Sequence, residues 1–343
     1  MSSKTRIKDI ATEAGVSPAT VSRALTGSGL VAEPTLSHIK AVANALGYRP
    51  NISARNLRTQ KTMSILVVVR DIGNPFYLNV FKGAESVARA AGYSLLMGNT
   101  ENDLKREEDY FQMLADGHAD GMILMTGKMP QNGDLSEDIS QKVVIALEMI
   151  DDTNLSHVVI DNEKASMDAV DHLVALGHRR IAHITGPIPA EGMSVRRLSG
   201  FKKAVAHHQL PVPDDYIQRG TFSYLSGEEA AYRLLDLPVP PTAIYAANDE
   251  MAFGVIRAAN SRGLTVPQDL SVFGFDDIYL AEAFVPALTT INQPCLEVGR
   301  AAMTRLLDHL SGQCKAIDPI VVPTRLVVRE STAPPKDSAM TAS

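Results

Sequence analysis

Apolar residues near the N-terminus recur with the period of a helix. Ile7, Ile10, Ala11 and Ala14 fall at i, i+3, i+4 and i+7, so they share one face, and Gly15 is placed to end that helix. Ser17 can cap orphan amides and Pro18 suits a first helical turn, which predicts a second helix from 18 to about 25. Val21, Ala24 and Leu25 then face inward, and Ala19, Ser22, Arg23 and Thr26 face out. A third helix is expected to begin at Pro34, to bury Ile39, Val42, Ala43 and Leu46, and to stop at Gly47. Three short helices of this kind make one small all-α core.

The pattern then changes twice. Residues 51–63 are polar, with Arg55, Arg58 and Lys61 and only Ile52, Ala54 and Leu57 apolar, which reads as a linker or a short conditional helix. From Ser64 onward, buried β runs alternate with amphipathic helices. Strands are predicted at 65–69, 93–97, 121–125, 143–147, 158–160, 181–184, 243–246 and 271–275. Helices are predicted at 76–91, 104–116, 165–176, 197–208, 227–235 and 251–262. Such alternation defines a doubly wound α/β arrangement with parallel sheets, and two sheets fit better than one. The expected organisation is a headpiece at 1–50, a hinge at 51–63, a core at 64–330 and a disordered tail at 331–343. Within the core, one lobe takes about 64–161 and 294–317 and the other about 162–290 and 319–330.

Composition narrows the class. The 343 residues are 45% hydrophobic and 21% charged, ordinary globular material. No run of about 18 apolar residues and no secretory h-region occurs, so a cytoplasmic protein without a membrane partner is expected. Cys295 and Cys314 form no CxxC arrangement and read as packing residues. The net charge of −6 conceals an asymmetry: residues 1–61 hold nine Lys or Arg against Asp9, Glu13 and Glu33. The rest of the chain holds 24 basic and 36 acidic residues. A basic head on an acidic body suits a chain that touches phosphate with one part only.

The run from Ile7 to Ala11, continued by Gly15-Val16-Ser17-Pro18-Ala19-Thr20-Val21-Ser22-Arg23-Ala24-Leu25, closely resembles the signature of the lactose-repressor family. The resemblance implies a helix-turn-helix whose second helix enters a major groove. It places Pro18, Ala19 and Arg23 at bases, and Ser17, Thr20 and Ser22 at phosphates. Pro18 and Ala19 offer shape and methyl contact only, so Arg23 is the candidate for guanine. The family often has Ser and Arg where this chain has Ala32 and Leu36. Tyr48-Arg49-Pro50-Asn51 followed by Ala54-Arg55-Asn56-Leu57 resembles the family's hinge helix, which implies DNA contact by Arg55 and a minor-groove wedge at Leu57.

From about Ser64 to Arg329 the chain resembles the family's effector-binding core, itself similar to periplasmic sugar-binding proteins. Asn74-Pro75-Phe76-Tyr77, Val159-Ile160-Asp161-Asn162, Asn248-Asp249-Glu250-Met251 and Gly274-Phe275-Asp276-Asp277 carry it. The resemblance implies that Arg197 and Asp276 hold ligand hydroxyls, that Asn248 and Asp161 assist, and that Phe76 and Phe222 stack on a ring. Residues from Gly186 to Gln293 are most similar to the cytidine/purine-repressor branch, which points to a nucleoside or pentose effector, with other sugars open. Glu191 and Met193 stand where a purine sensor has polar contacts, which counts against a purine base. The family resemblance further implies a homodimer on a roughly palindromic double-stranded operator, repression as its sign, and effector-driven lobe closure that shifts the hinge.

Other chemistries find little support. Gly121 to Gly127 followed by Lys128 and Met129 is not a phosphate loop, and no GxSxG occurs. His172, His178 and His183 lack a helical i, i+4 pair, so no metal, no cofactor and no catalytic residue is expected. An α/β sugar- or nucleoside-binding enzyme, or a transport-type binding protein, is the alternative.

Overall fold

The computed structural model describes residues 5–26, 31–49, 61–127, 136–150, 153–187 and 192–336. The chain divides into two compact units, 1–61 and 62–343.

In the first unit α1 (Ile7–Glu13), α2 (Pro18–Thr26) and α3 (Glu33–Ala45) enclose Ile10, Val21 and Ile39, all without solvent exposure. Asp9 accepts from the Arg6 N–H at 2.7 Å and so caps α1. Ser17 Oγ accepts from the Thr20 N–H at 3.1 Å, which is the cap that starts α2 immediately before Pro18. Ala32 stands at the start of α3 with no side chain to cap it, and Leu36 packs half-buried against the three-helix core. Leu46, expected inside, is 37% exposed, because the helix has already ended at Ala45. Gly47 at φ 59° turns the chain so that Tyr48, not Leu46, packs against the core.

The second unit holds two six-stranded sheets. Its elements begin with β1 (Ser64–Val69), α4 (Phe76–Ala90), β2 (Ser94–Asn99), α5 (Leu104–Ala115), β3 (Gly121–Leu124), α6 (Glu137–Ser140), β4 (Val143–Ala146) and β5 (Ser156–Val159). They continue with α7 (Asn162–Ala175), β6 (Ile181–Thr185), α8 (Met193–His207), β7 (Ile217–Arg219), α9 (Tyr224–Leu235), β8 (Ala243–Ala246) and α10 (Asp249–Ser261). Last come β9 (Ser271–Asp276), α11 (Tyr279–Ala283), β10 (Thr289–Asn292), α12 (Cys295–Leu310), β11 (Ile320–Val321) and β12 (Arg325–Val327). The first sheet runs β11-β5-β4-β3-β1-β2 and the second β12-β10-β9-β8-β6-β7. Every pairing is parallel except β10 with β12. The central strands β1, β3 and β4 are covered on both faces, which explains why they read as continuous apolar runs rather than alternating ones.

The chain passes between the lobes three times: after β5, after β10 and after β11. Helix α12 returns to pack on α4 so closely that a Cβ at Gly299 would lie 2.0 Å from the Val80 carbonyl oxygen. Two expectations change here. Ile320–Val321 was assigned to the second lobe, yet it pairs with Val158 and Val159 of β5 at the edge of the first sheet. The described part of the expected tail, 331–336, is built into the second lobe: Ser331 is fully buried, its carbonyl accepts from Val272, and the Ala333 carbonyl lies 2.9 Å from His178 Nε2. Small residues and prolines suggested disorder, but Ser331 and Ala333 bond to Val272 and Ser271 at the start of β9, beyond the start of β10.

In both sheets the chain reverses direction beside the first strand laid down, between β1 and β3 and between β6 and β8. Ligands of open α/β sheets bind beyond the carboxyl ends of the strands at such reversals. Two such crevices face each other across the interlobe cleft.

Candidate functional site

On the headpiece, Val21 and Ala24 anchor α2 to its neighbours, which fixes the opposite face outward. Ser17, Pro18, Ala19 and Arg23 are exposed on that face, and Thr20 and Ser22 are half-buried. Arg23 Nε donates to the Ala19 carbonyl at 3.3 Å, so its guanidinium lies along the first turn of the helix. Ser17 Oγ and Thr20 Oγ1 are 2.8 Å apart in the cap. Arg55 and Leu57 lie outside the described residues.

The interlobe cleft encloses a cavity of about 90 Å³. Arg197 is its buried cation, 2% exposed. Its Nε donates to Asn162 Oδ1 at 2.8 Å, Nη1 donates to the Ala247 carbonyl, and its guanidinium carbon lies 3.7 Å from the centre of the Phe275 ring. Those three contacts hold the planar group rigid, with Nη1 3.8 Å from Asp276 Oδ1. Asp276 sits at the last position of β9 with φ 113°, an uncommon backbone state that aims its carboxylate into the cleft. Gln293 Nε2 donates to its Oδ1 at 2.6 Å.

Burial raises Asp276 to about 7; Arg197 and the Gln293 hydrogen bond pull it down, and Glu250 adds to the rise. Desolvation therefore outweighs the nearby guanidinium, as expected for a carboxylate removed from water with its cation 3.8 Å away. Behind it, Asp249 is also held well above the usual carboxylate range by burial and by Asp276. Asp249 accepts from Thr290 Oγ1 at 2.6 Å and from the Ile278 N–H at 2.8 Å, so it braces β10 and the turn after β9.

Aromatic walls complete the cavity. Phe76, at the start of α4, packs edge-on against Tyr77 with ring centres 5.4 Å apart. Burial lifts the Tyr77 hydroxyl to about 12. Phe222 adopts φ 66° and presses its ring against Gly186, where any Cβ would lie 2.1 Å from Phe222 Cζ. Asn248 Nδ2 donates to the Phe222 carbonyl at 2.9 Å while its Oδ1 caps α10 through the Met251 N–H at 3.0 Å. Asn248 thus lines the cavity chiefly as a fastener for Phe222. A recess of about 560 Å³ shares Phe76, Asp276 and Gln293 with this cavity and reaches the crossover residues 292–294 and 323–325.

Five of the six expected effector residues, Phe76, Arg197, Phe222, Asn248 and Asp276, line the one cavity. Asp161 does not. It is exposed and caps α7 by accepting from the Lys164 N–H at 2.9 Å, because the chain has already turned into the second lobe at that point. Sequence reasoning passed over Arg70, Glu148, Glu250 and Gln293. Arg70 Nη2 donates to Glu148 Oε1 at 2.8 Å and to the Thr126 carbonyl at 2.7 Å. The other Glu148 oxygen accepts from the Met193 N–H, across the cleft, at 2.9 Å. A charged residue directly after the apolar runs 65–69 and 143–147 was the available signal.

Among the described residues no group of three or more His, Cys, Asp or Glu is arranged to hold a metal ion. His183 is buried between Tyr245 and Phe201, with ring centres 4.5 and 4.9 Å away, and burial lowers it to about 4. No helix among the described residues is long and apolar enough to cross a membrane.

A small helical head carrying one exposed, capped helix and a two-lobed core with a polar cavity between its lobes define a ligand-responsive DNA-binding protein. Residues 6–51 match the bacterial regulatory proteins of the lacI family, and residues 170–332 match the periplasmic binding protein-like domain. The HTH-type transcriptional repressor CytR of Escherichia coli strain K12 is 38% identical over 329 residues, 95% of this chain and 96% of that protein. The HTH-type transcriptional regulator DegA of Bacillus subtilis is 39% identical over 335 residues, 96% of this chain and 99% of that protein. The crystal structure of the Lac repressor dimer bound to operator and the anti-inducer ONPF superposes with a TM-score of 0.86 at 28% identity, over 96% of this chain and all of that one. The chain belongs to the LacI family. It is a DNA-binding transcription regulator with an effector-binding core; these relatives are regulators, not enzymes.

Proposed function

We propose that this regulator represses transcription from a roughly palindromic operator as a homodimer in the cytoplasm, and that a nucleoside or pentose bound in the interlobe cavity sets its operator affinity. The observation that carries the reading is the pairing of Arg197, fixed by three contacts, with Asp276, which faces it at 3.8 Å. A guanidinium that only donates beside a carboxylate that only accepts suits adjacent hydroxyls of a ribose-like ring. Phe76 and Phe222 supply apolar faces for the ring itself.

On DNA, Arg23 reads guanine while Pro18 and Ala19 give shape and methyl contact. Ser17, Thr20 and Ser22 position the backbone, Arg55 adds a contact and Leu57 wedges the minor groove. Effector that prefers one degree of lobe closure shifts the hinge equilibrium and with it the affinity for operator.

The test is a thermal-shift screen with nucleosides, pentoses and hexoses, followed by operator binding with each hit. A ligand at 100 times its dissociation constant adds about 2.7 kcal/mol to native stability. Stabilisation by a nucleoside or pentose that also changes operator affinity is the expected result. Stabilisation by hexoses alone overturns the ligand class, and stabilisation without a change in operator affinity overturns the control mechanism.

A further inference from the structure

Resting on that effector reading, we infer that the cavity selects an uncharged, donor-rich ligand and rejects its phosphate esters, with Asp71 and Glu250 as the selecting pair. The lining contributes two guanidiniums, Arg70 and Arg197, against three carboxylates, Asp71, Glu250 and Asp276. Each guanidinium already faces an acid of its own, so neither offers an uncompensated positive charge to a phosphate. Arg70 is paired with buried Glu148 at 2.8 Å. Arg197 is held by Asn162, the Ala247 carbonyl and the Phe275 ring, with Asp276 as its facing acid.

Asp71 follows β1 in the first lobe and Glu250 opens α10 in the second, so the two lobes each bring one acid to the same cavity. Neither has an ion-pair partner among the described residues. Asp71 Oδ1 accepts from the Gly73 N–H at 2.8 Å, which fixes the carboxylate in a tight turn rather than neutralising it. Burial and the charge of Asp71 raise Glu250 above its usual range, which agrees with two acids facing each other across the cleft.

Carboxylates only accept hydrogen bonds, so a bound molecule must present O–H or N–H groups to them. Free nucleosides and sugars do so. A phosphate monoester brings about −1.5 to −2 charges at neutral pH and only acceptor oxygens on the phosphate. Asp71 is exposed and Glu250 half-buried, so at the effective dielectric of near-surface charges and at low ionic strength the two acids together weaken such a ligand on the order of 100-fold relative to the free compound. Closing the lobes on a donor-rich ligand instead places its N–H or O–H groups between the two carboxylates, so ligand bridges what the empty cleft repels.

The test uses the full-length protein at low ionic strength. Cytidine, uridine, adenosine and ribose are each compared with their 5′-phosphates by thermal shift and titration calorimetry, for the wild type and for the Asp71→Asn/Glu250→Gln double variant. The wild type is expected to bind the free compound about 100-fold more tightly than its phosphate. The double variant, with unliganded melting temperature and operator binding retained, is expected to narrow that ratio at least tenfold. A phosphate bound as tightly as its parent compound overturns the selection and leaves the effector cavity standing. An unchanged ratio in the double variant overturns the assignment to Asp71 and Glu250. No shift with either series overturns both the selection and the nucleoside or pentose reading beneath it.

Discussion

Glu148 Oε2 accepts a hydrogen bond from the Met193 N–H at 2.9 Å, joining the end of β4 in one lobe to the first residue of α8 in the other. The carboxylate meets the positive end of a 15-residue helix, where its charge is favoured. Its second oxygen is tied to Arg70, and Arg197 lies one turn farther along the same helix. The contact between the lobes and the placement of the Arg197 guanidinium are thereby mechanically linked.

Glu148→Ala removes this link and leaves Arg70 without its buried partner. Breaking a largely buried pair in this way costs about 3 kcal/mol. The core transition in urea should move to lower denaturant, and effector affinity should fall with it. Unchanged stability would mean that the Arg70–Glu148 pair contributes nothing to the folded protein.

Gly192 precedes α8 at φ 105°, and a Cβ there would approach Glu148 Oε2 to 3.0 Å. Gly192→Ala therefore meets both backbone strain and a crowded carboxylate, a penalty of about 1–3 kcal/mol. Thermal unfolding is the direct measurement. A melting temperature equal to the wild type would show that the lobes can separate at no cost.

Effector binding should depend on pH through Asp276, whose surroundings are Arg197, Gln293, Glu250 and Asp249. Burial raises it to about 7, above the roughly 3.9 of an unfolded aspartate. The folded protein retains a proton there that the unfolded chain has lost, so this residue's contribution to stability is full at low pH and declines as pH rises through about 7. Ligand hydroxyls are accepted more strongly by the ionised form, so affinity should rise between about pH 6 and pH 8 and then level off. Calorimetric titration across that interval checks both the sign and the midpoint. A flat profile would remove Asp276 from ligand contact.

Arg23→Ala should cost about 1–3 kcal/mol of operator affinity and relax preference at one base position. Ser17→Ala should instead lower headpiece stability by about 1 kcal/mol through loss of the α2 cap, since its hydroxyl is held by the Thr20 N–H. Selection of binding sites from random DNA separates the two effects. An equal loss on every sequence for Arg23→Ala would make it a phosphate contact.

Much of this was legible before the structure. Ile7, Ile10, Ala11, Val21 and Ile39 announced the headpiece through helical spacing, and unbroken runs such as 65–69 and 143–147 marked strands covered on both faces. The edge strands were less visible because Ile217–Arg219 and Arg325–Val327 are three residues long and half polar, too short for any period. Arg197 and Asp276 were reached by resemblance. Asp161 was misplaced because a carboxylate after a strand serves a helix cap as readily as a ligand. Glu148 was missed for a different reason: its partners, Arg70 and Met193, stand 78 and 45 positions away in the chain.

The most direct test measures operator affinity of the wild type and of Asp276→Asn, each with and without the compound that stabilises the wild type. The expected result is equal affinity of the two proteins for free operator, a ligand response in the wild type, and none in the variant. A variant that still responds, or one that no longer binds operator at all, would contradict a regulator controlled through the cavity between its lobes.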